Sequence, residues 1–344
     1  MMDLAEFDYE LPKELIAQSP LPDRSASRML VVDRARQRWE DRRFRDLPAF
    51  LGPGDCLVLN DSRVFPARLY GRRARFTGAV EVLLLRPVDA GAKEWHALVH
   101  PGKKMRVGEI VRFTHDQEAP LEAEVVARGE FGERTLRFHT DRDVYDEIEK
   151  IGHVPLPPYI KRQDDAADRE RYQTVFARER GSAAAPTAGL HFTPAVLDEC
   201  RARGAQVAFV TLHVGLGTFQ PPHTDRVEGY RLHSEHFSIT AENAARMAAA
   251  RRLVAVGTTS VRTIESALLS GGLRETAGDT DLFIYPGFEF HAAGAMLTNF
   301  HLPRTSLLLL VCAFAGKDLA LAAYRHAVSE RYRFYSYGDC MLIL

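Results

Sequence analysis

The sequence predicts an α/β protein in which a small antiparallel β-barrel domain is inserted into a barrel-like βα domain. Two observations give this prediction. Between about residues 69 and 149 the chain is strand-like throughout, and from about residue 150 strands alternate with helices. Such alternation is typical of parallel βα units, in a closed barrel or in an open doubly wound sheet. We therefore expect residues 1–68 and 150–344 to form the larger domain and residues 69–149 the insertion.

The first 68 residues mix short strands with one short helix. Apolar runs predict strands at Met29–Asp33 and Cys56–Asn60, and the helix is expected at Leu47–Leu51. The insertion contains five strand-like segments separated by Gly, Pro and charged turns, which is typical of a small antiparallel barrel or sandwich. These segments are AVEVLLL, EWHALVH, EIVRFT, LEAEVVA and RTLRFHT.

Capping signals mark the helices of the larger domain. Thr193 followed by Pro194 predicts a helix start, Gly204 closes that helix, and Thr240 caps the next one. The further strands are expected at AQVAFVTLHV, HFSI, LVAVG, DLFIY, GAMLTNF and CMLIL. The further helices are expected at AENAARMAAARR, SVRTIESALLS, TSLLLLVCAFAG and Lys317–Arg331.

The bulk composition is that of a soluble protein of the cytoplasm. The 344 residues carry a formal net charge of −1, so a nucleic-acid partner would have to meet a local basic patch. The four cysteines are far apart and favour a reducing compartment. The N-terminus lacks the apolar core of a signal peptide, and the apolar run Ser306–Ala315 is half of what a bilayer requires. We expect no membrane contact.

The sequence gives little support for a metal site or for a dinucleotide-binding site. Seven of the thirteen histidines fall between His191 and His301, but no H-E-x-x-H motif occurs. A metal site assembled from distant histidines stays open as an alternative. The pair Gly215 and Gly217 lacks the third glycine of a dinucleotide fingerprint, since Gln220 stands there. Taken alone, these glycines predict only a turn that needs positive φ.

Polar segments follow the predicted strands, where α/β proteins place their active sites. They are NDSR (60–63), PTAGLHFT (186–193), TLHVGLGTFQPP (211–222), HSEH (233–236), GTTSVR (257–262) and TNFHLP (298–303). In GTTSVR, hydroxyls and backbone N–H groups at a helix start offer an anion site, with Arg262 one turn further along. Ordinary helix capping explains the same pattern.

Two of these segments offer carboxylates. In HSEH, Glu235 is a candidate general base, with a solvated strand edge as the alternative. In NDSR, Asp61 is a candidate base or orienting group and Arg63 an anion clamp. An Asx-type turn held by an internal ion pair is the alternative there.

A local basic run follows NDSR. From Arg63 to Arg75 there are five arginines and no acidic residue, and Lys103, Lys104 and Arg106 extend the basic character. Such a run can follow a phosphate backbone, although it is also typical of plain solvated surface.

Nine segments in series, from about residue 7 to the C-terminus, resemble the S-adenosylmethionine:tRNA ribosyltransferase-isomerase family of queuosine biosynthesis. They are FDYELPKELIAQ, NDSRVFPARL, PGKKMRVGEIVRF, APTAGLHFT, TLHVGLGTF, VAVGTTSVRTIES, TDLFIYPG, TNFHLP and YRFYSYGDCMLIL. The resemblance implies transfer of the ribosyl part of S-adenosylmethionine to the aminomethyl group of a 7-deazaguanine at the tRNA wobble position. Epoxyqueuosine, adenine and methionine would result, with no metal or further cofactor.

This chemistry requires a base and a proton donor. The sulfonium acidifies the adjacent 5′ carbon, so a base must take a proton there, and departing adenine needs a donor such as a histidine. The candidates for these catalytic roles are Asp61, His191, His213 and Glu235.

Substrate binding is assigned to the same loops. The methionine carboxylate suits the start of the GTTSVR helix, glycines let the backbone approach the nucleoside, and Tyr285, Phe300 or Tyr337 could stack on a base. The candidates are Asn60, Arg63, Thr187, Gly189, Gly215, Gly217, Thr218, Thr258, Thr259, Ser260, Arg262, Tyr285, Asn299 and His301. We expect a monomer that binds tRNA.

Departures from the family pattern are small. Ser62 stands where threonine is common, Phe65 where an aliphatic residue is usual, and Thr305-Ser306 is a swapped pair. A paralogue with a shifted nucleobase substrate therefore stays open. A metal-dependent hydrolase on a barrel fold and a non-catalytic RNA-binding protein are the alternatives from other functional classes.

Overall fold

The computed structural model describes residues 2–88, 91–114, 119–129, 132–215 and 225–344. The strands in these residues are β1 (Arg28–Asp33), β2 (Arg38–Arg43), β3 (Asp55–Asn60), β4 (Ser62–Val64), β5 (Arg68–Arg73), β6 (Ala79–Pro87), β7 (Glu94–His100), β8 (Ile110–Phe113), β9 (Leu121–Arg128), β10 (Glu133–His139), β11 (Glu179–Ser182), β12 (Gln206–Leu212), β13 (Glu235–Ile239), β14 (Arg252–Val256), β15 (Thr276–Thr280), β16 (Ala293–Asn299) and β17 (Cys340–Ile343).

The α-helices are α1 (Val144–Ile151), α2 (Asp168–Arg171), α3 (Pro194–Ala202), α4 (Ala241–Ala248), α5 (Thr258–Leu269), α6 (Ser306–Ala315) and α7 (Lys317–Ser329). Short 3₁₀ helices include Phe44–Phe50 and Thr187–His191. The side chains of Thr193, Thr240 and Thr305 each accept a backbone N–H at the start of α3, α4 and α6, as N-cap residues do.

The larger sheet has nine strands in the order β15-β13-β12-β3-β14-β16-β17-β1-β2. The strand β3 lies inside it and pairs in parallel with both β12 and β14, and β14 pairs in parallel with β16. Alternate side chains of β3 face two different apolar clusters, Cys56 and Val58 on one side and Leu57 and Leu59 on the other. Burial on both faces explains why this strand is a continuous apolar run.

The six strands β10-β7-β6-β5-β8-β9 form a closed antiparallel barrel with its own apolar cluster, which includes Trp95 and Phe65. The predicted α/β class with a small antiparallel barrel is therefore confirmed. Alternating strands and helices allow either a closed barrel or an open sheet. The larger sheet is open, because it ends in two edge strands, β15 and β2.

Two expected elements differ from the structure. The predicted strand DLFIY is wrong: the strand is β15, which ends just before it, and residues 281–285 are irregular. There the Leu282 backbone bonds to side chains, its N–H to Thr280 Oγ1 at 3.1 Å and its carbonyl to Arg262 Nε at 3.0 Å. The short helix expected at Leu47–Leu51 is the 3₁₀ helix Phe44–Phe50, which contains Pro48.

The chain enters and leaves the barrel at one point. Arg68 and His153 form an isolated antiparallel bridge, with N–H···O distances of 3.2 and 2.8 Å in the two directions. Next to it, Gly152 follows helix α1 and packs against Pro66. A Cβ atom at Gly152 would lie 2.1 Å from the Pro66 carbonyl oxygen and 2.6 Å from that of Ile148.

We expect Gly152→Ala to lower the free energy of unfolding by about 1–3 kcal/mol, because the added methyl overlaps two backbone oxygens that cannot move independently. Gly52→Ala is the matched control, since a Cβ there meets nothing within 4 Å. Urea unfolding of both variants measures the difference. Equal stabilities would show that the junction is not closely packed.

Candidate active site

The carboxyl ends of the parallel strands β3, β12, β14 and β16 meet at one edge of the larger sheet. The register pairs Val210 with Asn60, and Val256 with both Leu59 and Leu297, so these strands end at nearly the same level. Strand β13 runs antiparallel to β12 and therefore begins at this edge, with Glu235. The predicted polar segments after these strands are thus brought to one side of the sheet.

A small cavity of about 40 Å³ lies at this edge, beside the start of helix α5. Gly257 precedes the helix with φ of 88° and no side chain caps the helix, so N–H groups of its first turn are left for other partners. Thr259 Oγ1 is buried and has no hydrogen-bond partner among the residues that the structure describes. The residues lining the cavity include Thr187, Ala188, Val214, Gly257, Thr258, Thr259, Asn299, His301 and Tyr335.

The opposite wall of the cavity carries Asn299 and His301. The amide of Asn299 donates to the Tyr335 carbonyl at 2.9 Å, and the Asn299 side chain also interacts with the buried ring of His191. His301 Nε2 lies 2.8 Å from Thr298 Oγ1, and burial lowers the pKa of His301 to about 3. The cavity therefore presents donors at the helix start and an acceptor across from them.

His191 lies behind this wall and does not line the cavity. Its Nδ1 is 2.8 Å from Ser27 Oγ, and its ring packs on Phe44 with 5.3 Å between ring centroids. Burial lowers the pKa of His191 to about 4. This environment is that of a neutral core histidine.

A second, larger cleft of about 650 Å³ lies between the barrel and the larger sheet. The barrel strands contribute Arg86, His96 and Glu133, among others. The facing residues of the larger sheet and its loops include Arg180, Gly181, His213, Gly215, His233, Glu235, His236 and Asp279. Val214 lines the cavity and its neighbours His213 and Gly215 line the cleft, so the two recesses adjoin at this strand end.

Glu235 is held in a buried ion pair at the inner end of the cleft. Its Oε2 accepts a hydrogen bond from Arg262 Nη1, and its Oε1 accepts one from the Gly215 N–H at 2.8 Å. Arg262 also donates to the carbonyls of Leu282 and Thr280. Arg262 is therefore occupied by Glu235 and backbone oxygens and does not line the cavity at the helix start.

Asp61 is buried and equally engaged. Its Oδ1 accepts from Thr211 Oγ1 at 2.7 Å, and its Oδ2 accepts from Arg178 Nη2 at 2.7 Å. Asn60 ties β3 to β12, since its side chain exchanges hydrogen bonds with the Leu212 backbone at 3.0 and 3.1 Å. Asn60 and Asp61 thus hold the strand ends in place and do not line either recess.

His213 stands between these carboxylates and the cleft. Its Nδ1 lies 2.9 Å from Ser62 Oγ, and its ring stacks on His236 with 6.4 Å between centroids. Burial lowers the pKa of His213 to about 4; His236 acts in the same direction and Asp61 opposes it. At neutral pH the ring is therefore uncharged.

Several predicted binding residues lie elsewhere. Gly189 makes room for Thr174 and Phe176, since a Cβ there would lie 2.8 Å from the Thr174 methyl. Ser260 Oγ donates back to the Val256 carbonyl at 2.8 Å. Arg63 is exposed in a separate recess. Tyr285 packs against Phe283, with 5.1 Å between ring centroids. Gly217 and Thr218 fall outside the described residues.

The structure adds residues that the sequence patterns did not single out. Ser182 lies 2.6 Å from Ser62 in the wall behind His213, and Arg178 neutralises Asp61. Tyr159 and Tyr335 line the cavity, with ring centroids 3.8 Å apart. Only the position of Ser182, directly before an apolar run that leads into PTAGLHFT, hinted at a buried role.

The comparisons with known proteins match the chain over nearly its whole length. The family model described as "Queuosine biosynthesis protein" matches residues 4–343. The chain belongs to this family. The resemblance seen in the nine sequence segments is thereby confirmed.

Two relatives and one solved structure show the extent of the likeness. The S-adenosylmethionine:tRNA ribosyltransferase-isomerases of Solibacter usitatus and Symbiobacterium thermophilum are 65% and 52% identical to the chain, over 100% of both chains in each case. The crystal structure of S-adenosylmethionine tRNA ribosyltransferase from Thermotoga maritima is 41% identical, with a TM-score of 0.56. It covers 98% of this chain and 100% of its own.

Two kinds of feature are absent from the residues that the structure describes. These residues contain no group of three or more His, Cys, Asp or Glu side chains that could hold a metal ion. Within the same residues no single helix is long and apolar enough to span a bilayer; α6 and α7 reach that composition only as a pair, bent by 115°.

The buried histidines predict an acid-sensitive fold. His191, His213 and His301 have folded-state pKa values of about 4, 4 and 3, whereas unfolded histidine titrates near 6.5. As the pH falls from about 6.5 towards 4, the unfolded chain binds protons that the folded chain does not. The free energy of unfolding should then fall, by up to about 1.4 kcal/mol per pH unit for each histidine.

Urea unfolding between pH 7.5 and 4.5 measures this loss. His301→Gln should give a shallower dependence, because it removes one of the buried titrating groups. His291→Gln, at an exposed position, should keep the wild-type slope. An unchanged slope in His301→Gln would contradict the prediction.

Proposed function

We propose that the chain is an S-adenosylmethionine:tRNA ribosyltransferase-isomerase. It transfers and isomerises the ribosyl moiety of S-adenosylmethionine onto 7-aminomethyl-7-deazaguanine at the tRNA wobble position, giving epoxyqueuosine-tRNA, adenine and methionine. The observation that carries the proposal is the adjacency of the two recesses at Val214, one with a polar helix start and one with Glu235 and His213. Relatives over the full length carry the name of this activity.

We place the amino-acid end of S-adenosylmethionine in the small cavity beside α5. A carboxylate is favoured at the start of α5, where backbone N–H groups and the unpartnered Thr259 hydroxyl act as donors. Asn299 lines the same cavity, and its side-chain oxygen, which also interacts with His191, is the acceptor that we assign to the ammonium group. These complementary groups fit a zwitterionic amino acid better than a simple anion. Thr187 and Thr258 line the same cavity.

The ribosyl group and the wobble base occupy the cleft between the barrel and the larger sheet. We assign this cleft to the interface between two domains, one formed by residues 69–149 and the other by residues 1–68 together with 150–344. Its volume of about 650 Å³ lies in the range of small-molecule sites. Gly215 lines this cleft, so the backbone itself forms part of the nucleoside surface.

Among the candidate bases, Glu235 is the one carboxylate that lines the cleft in the described part of the chain. Glu133 and Asp279 also line it; Glu133 is half-buried on the barrel side and Asp279 is exposed. Hydrogen bonds from Arg262 and Gly215 use one lone pair on each oxygen of Glu235 and fix the orientation of the group. We therefore assign Glu235 as the base that takes the proton from the 5′ carbon.

The exposed basic side chains of the barrel face the bulk of the tRNA in this proposal. Arg72, Arg75, Lys103, Lys104 and Arg106 are all exposed, and they fit a phosphate backbone. The four cysteines are buried and unpaired, which fits the cytoplasm.

The deciding experiment incubates the purified protein with S-adenosylmethionine and tRNA carrying the aminomethyl-deazaguanine precursor. We expect release of free adenine and a matching mass gain on the tRNA. Glu235→Gln should lower kcat by at least about 100-fold while tRNA binding is kept, because the general base is lost. Binding of tRNA without adenine release by the wild type would favour an RNA-binding protein. Stoichiometric zinc or iron together with hydrolysis would favour the metal-dependent hydrolase.

The cavity assignment has a matched pair of variants. Thr259→Val removes the unpartnered hydroxyl but keeps the side-chain shape, and should raise KM for S-adenosylmethionine about tenfold, since a hydrogen bond to a charged group contributes about 1.5–3 kcal/mol. Ser260→Ala, one residue further on, removes a hydroxyl that bonds to Val256 and should change KM little. Equal KM values for both variants would place the carboxylate elsewhere.

A further inference from the structure

A chain of buried hydrogen-bonding groups leads from the backbone to the ring of His213. The Val214 N–H donates to Ser182 Oγ at 2.8 Å, and Ser182 Oγ lies 2.6 Å from Ser62 Oγ. Ser62 Oγ in turn lies 2.9 Å from His213 Nδ1. Both serines are fully buried, so solvent cannot replace any of these partners.

Only one placement of the hydrogens satisfies every group in this chain. Ser182 Oγ already accepts from Val214, so its own hydrogen goes to Ser62, and the hydrogen of Ser62 goes to His213 Nδ1. Any other placement leaves a serine hydrogen without an acceptor among the described residues, and an unpaired buried hydroxyl is strongly disfavoured. His213 Nδ1 is therefore an acceptor.

We propose that Ser182 and Ser62 together fix His213 in the tautomer that carries its hydrogen on Nε2. In this tautomer the ring is a hydrogen-bond donor towards the cleft and is not the general base. A neutral imidazole has one N–H, and when Nδ1 accepts, that N–H is Nε2. The tautomer follows from the hydrogen bonds alone. Its use in the reaction rests on the proposed function.

The surroundings of the ring support the role of a fixed neutral donor. Gly181 lies against the ring, and a Cβ there would approach its atoms to 2.7 Å, so the ring occupies space that any other residue at position 181 would fill. The charged and titratable neighbours are His236, stacked at 6.4 Å, and Asp61, which is neutralised by Arg178. Glu235 lines the same cleft but is paired with Arg262.

A neutral donor at this place stabilises negative charge as it develops on a departing group, and it keeps its own proton throughout. Two residues of the cleft, Glu235 and His213, then have different roles in the reaction. Glu235 accepts a proton, while His213 donates a hydrogen bond. The four candidates of the catalytic set thereby separate into different roles.

The tautomer can be read directly from long-range ¹H–¹⁵N spectra of the full-length protein labelled with ¹⁵N-histidine, with His213→Gln to assign the signal. We expect the wild-type ring to be neutral at pH 7.5 with its hydrogen on Nε2. Ser62→Ala should lose this preference, and Ser62→Thr, which restores a hydroxyl, should keep it. A hydrogen on Nδ1 in the wild type, or no change in Ser62→Ala, would overturn the proposal.

Turnover provides the second arm. His213→Gln keeps an N–H near the position of Nε2 and should retain at least tenfold more kcat than His213→Ala, with similar KM for S-adenosylmethionine. Equal kcat in the two variants would refute a donor role. The spectra need no turnover, so a wild-type protein without adenine release would remove the proposed function and leave the tautomer result standing.

Discussion

The parallel pairing of β3 with β12 on one side and β14 on the other is the constraint on which the site depends. Three strands that are far apart in sequence end at the same level because their registers are fixed by continuous apolar packing on both faces. Asn60 reinforces this level by bonding to the backbone of Leu212. A slip of one residue would separate Thr259, His213 and Glu235, although none of them belongs to the apolar core.

The charged groups at this edge are mostly satisfied by one another. Asp61 pairs with Arg178 and Glu235 with Arg262, and a buried ion pair of this kind is costly to break from one side only. The polar atoms that stay unused, such as Thr259 Oγ1, are therefore informative. They indicate where a ligand completes the hydrogen bonding, which a count of charged residues would not reveal.

Period and capping patterns were sufficient to predict five of the six barrel strands, α3 and α5, because these depend on local burial and on caps such as Thr193, whereas the arginine-rich strand β5 was not predicted. Segments following the strands were predicted to meet, and the cavity and cleft bring most of them together. The direction of each side chain was beyond such patterns. Arg262 was expected to bind a carboxylate ligand, but its partner Glu235 is 27 residues away and becomes a neighbour only through the pairing of β13 with β12.

The bridge between Arg68 and His153 shows how the barrel segment is joined to the rest of the chain. Paired residues on adjacent strands lie about 5 Å apart, so the two ends of the barrel segment nearly touch. A shorter ancestor could cross this point with a tight turn and keep every strand of the larger sheet in register. The barrel segment is thus joined to the larger sheet through one close pair of residues, so its presence does not alter the register of the sheet strands.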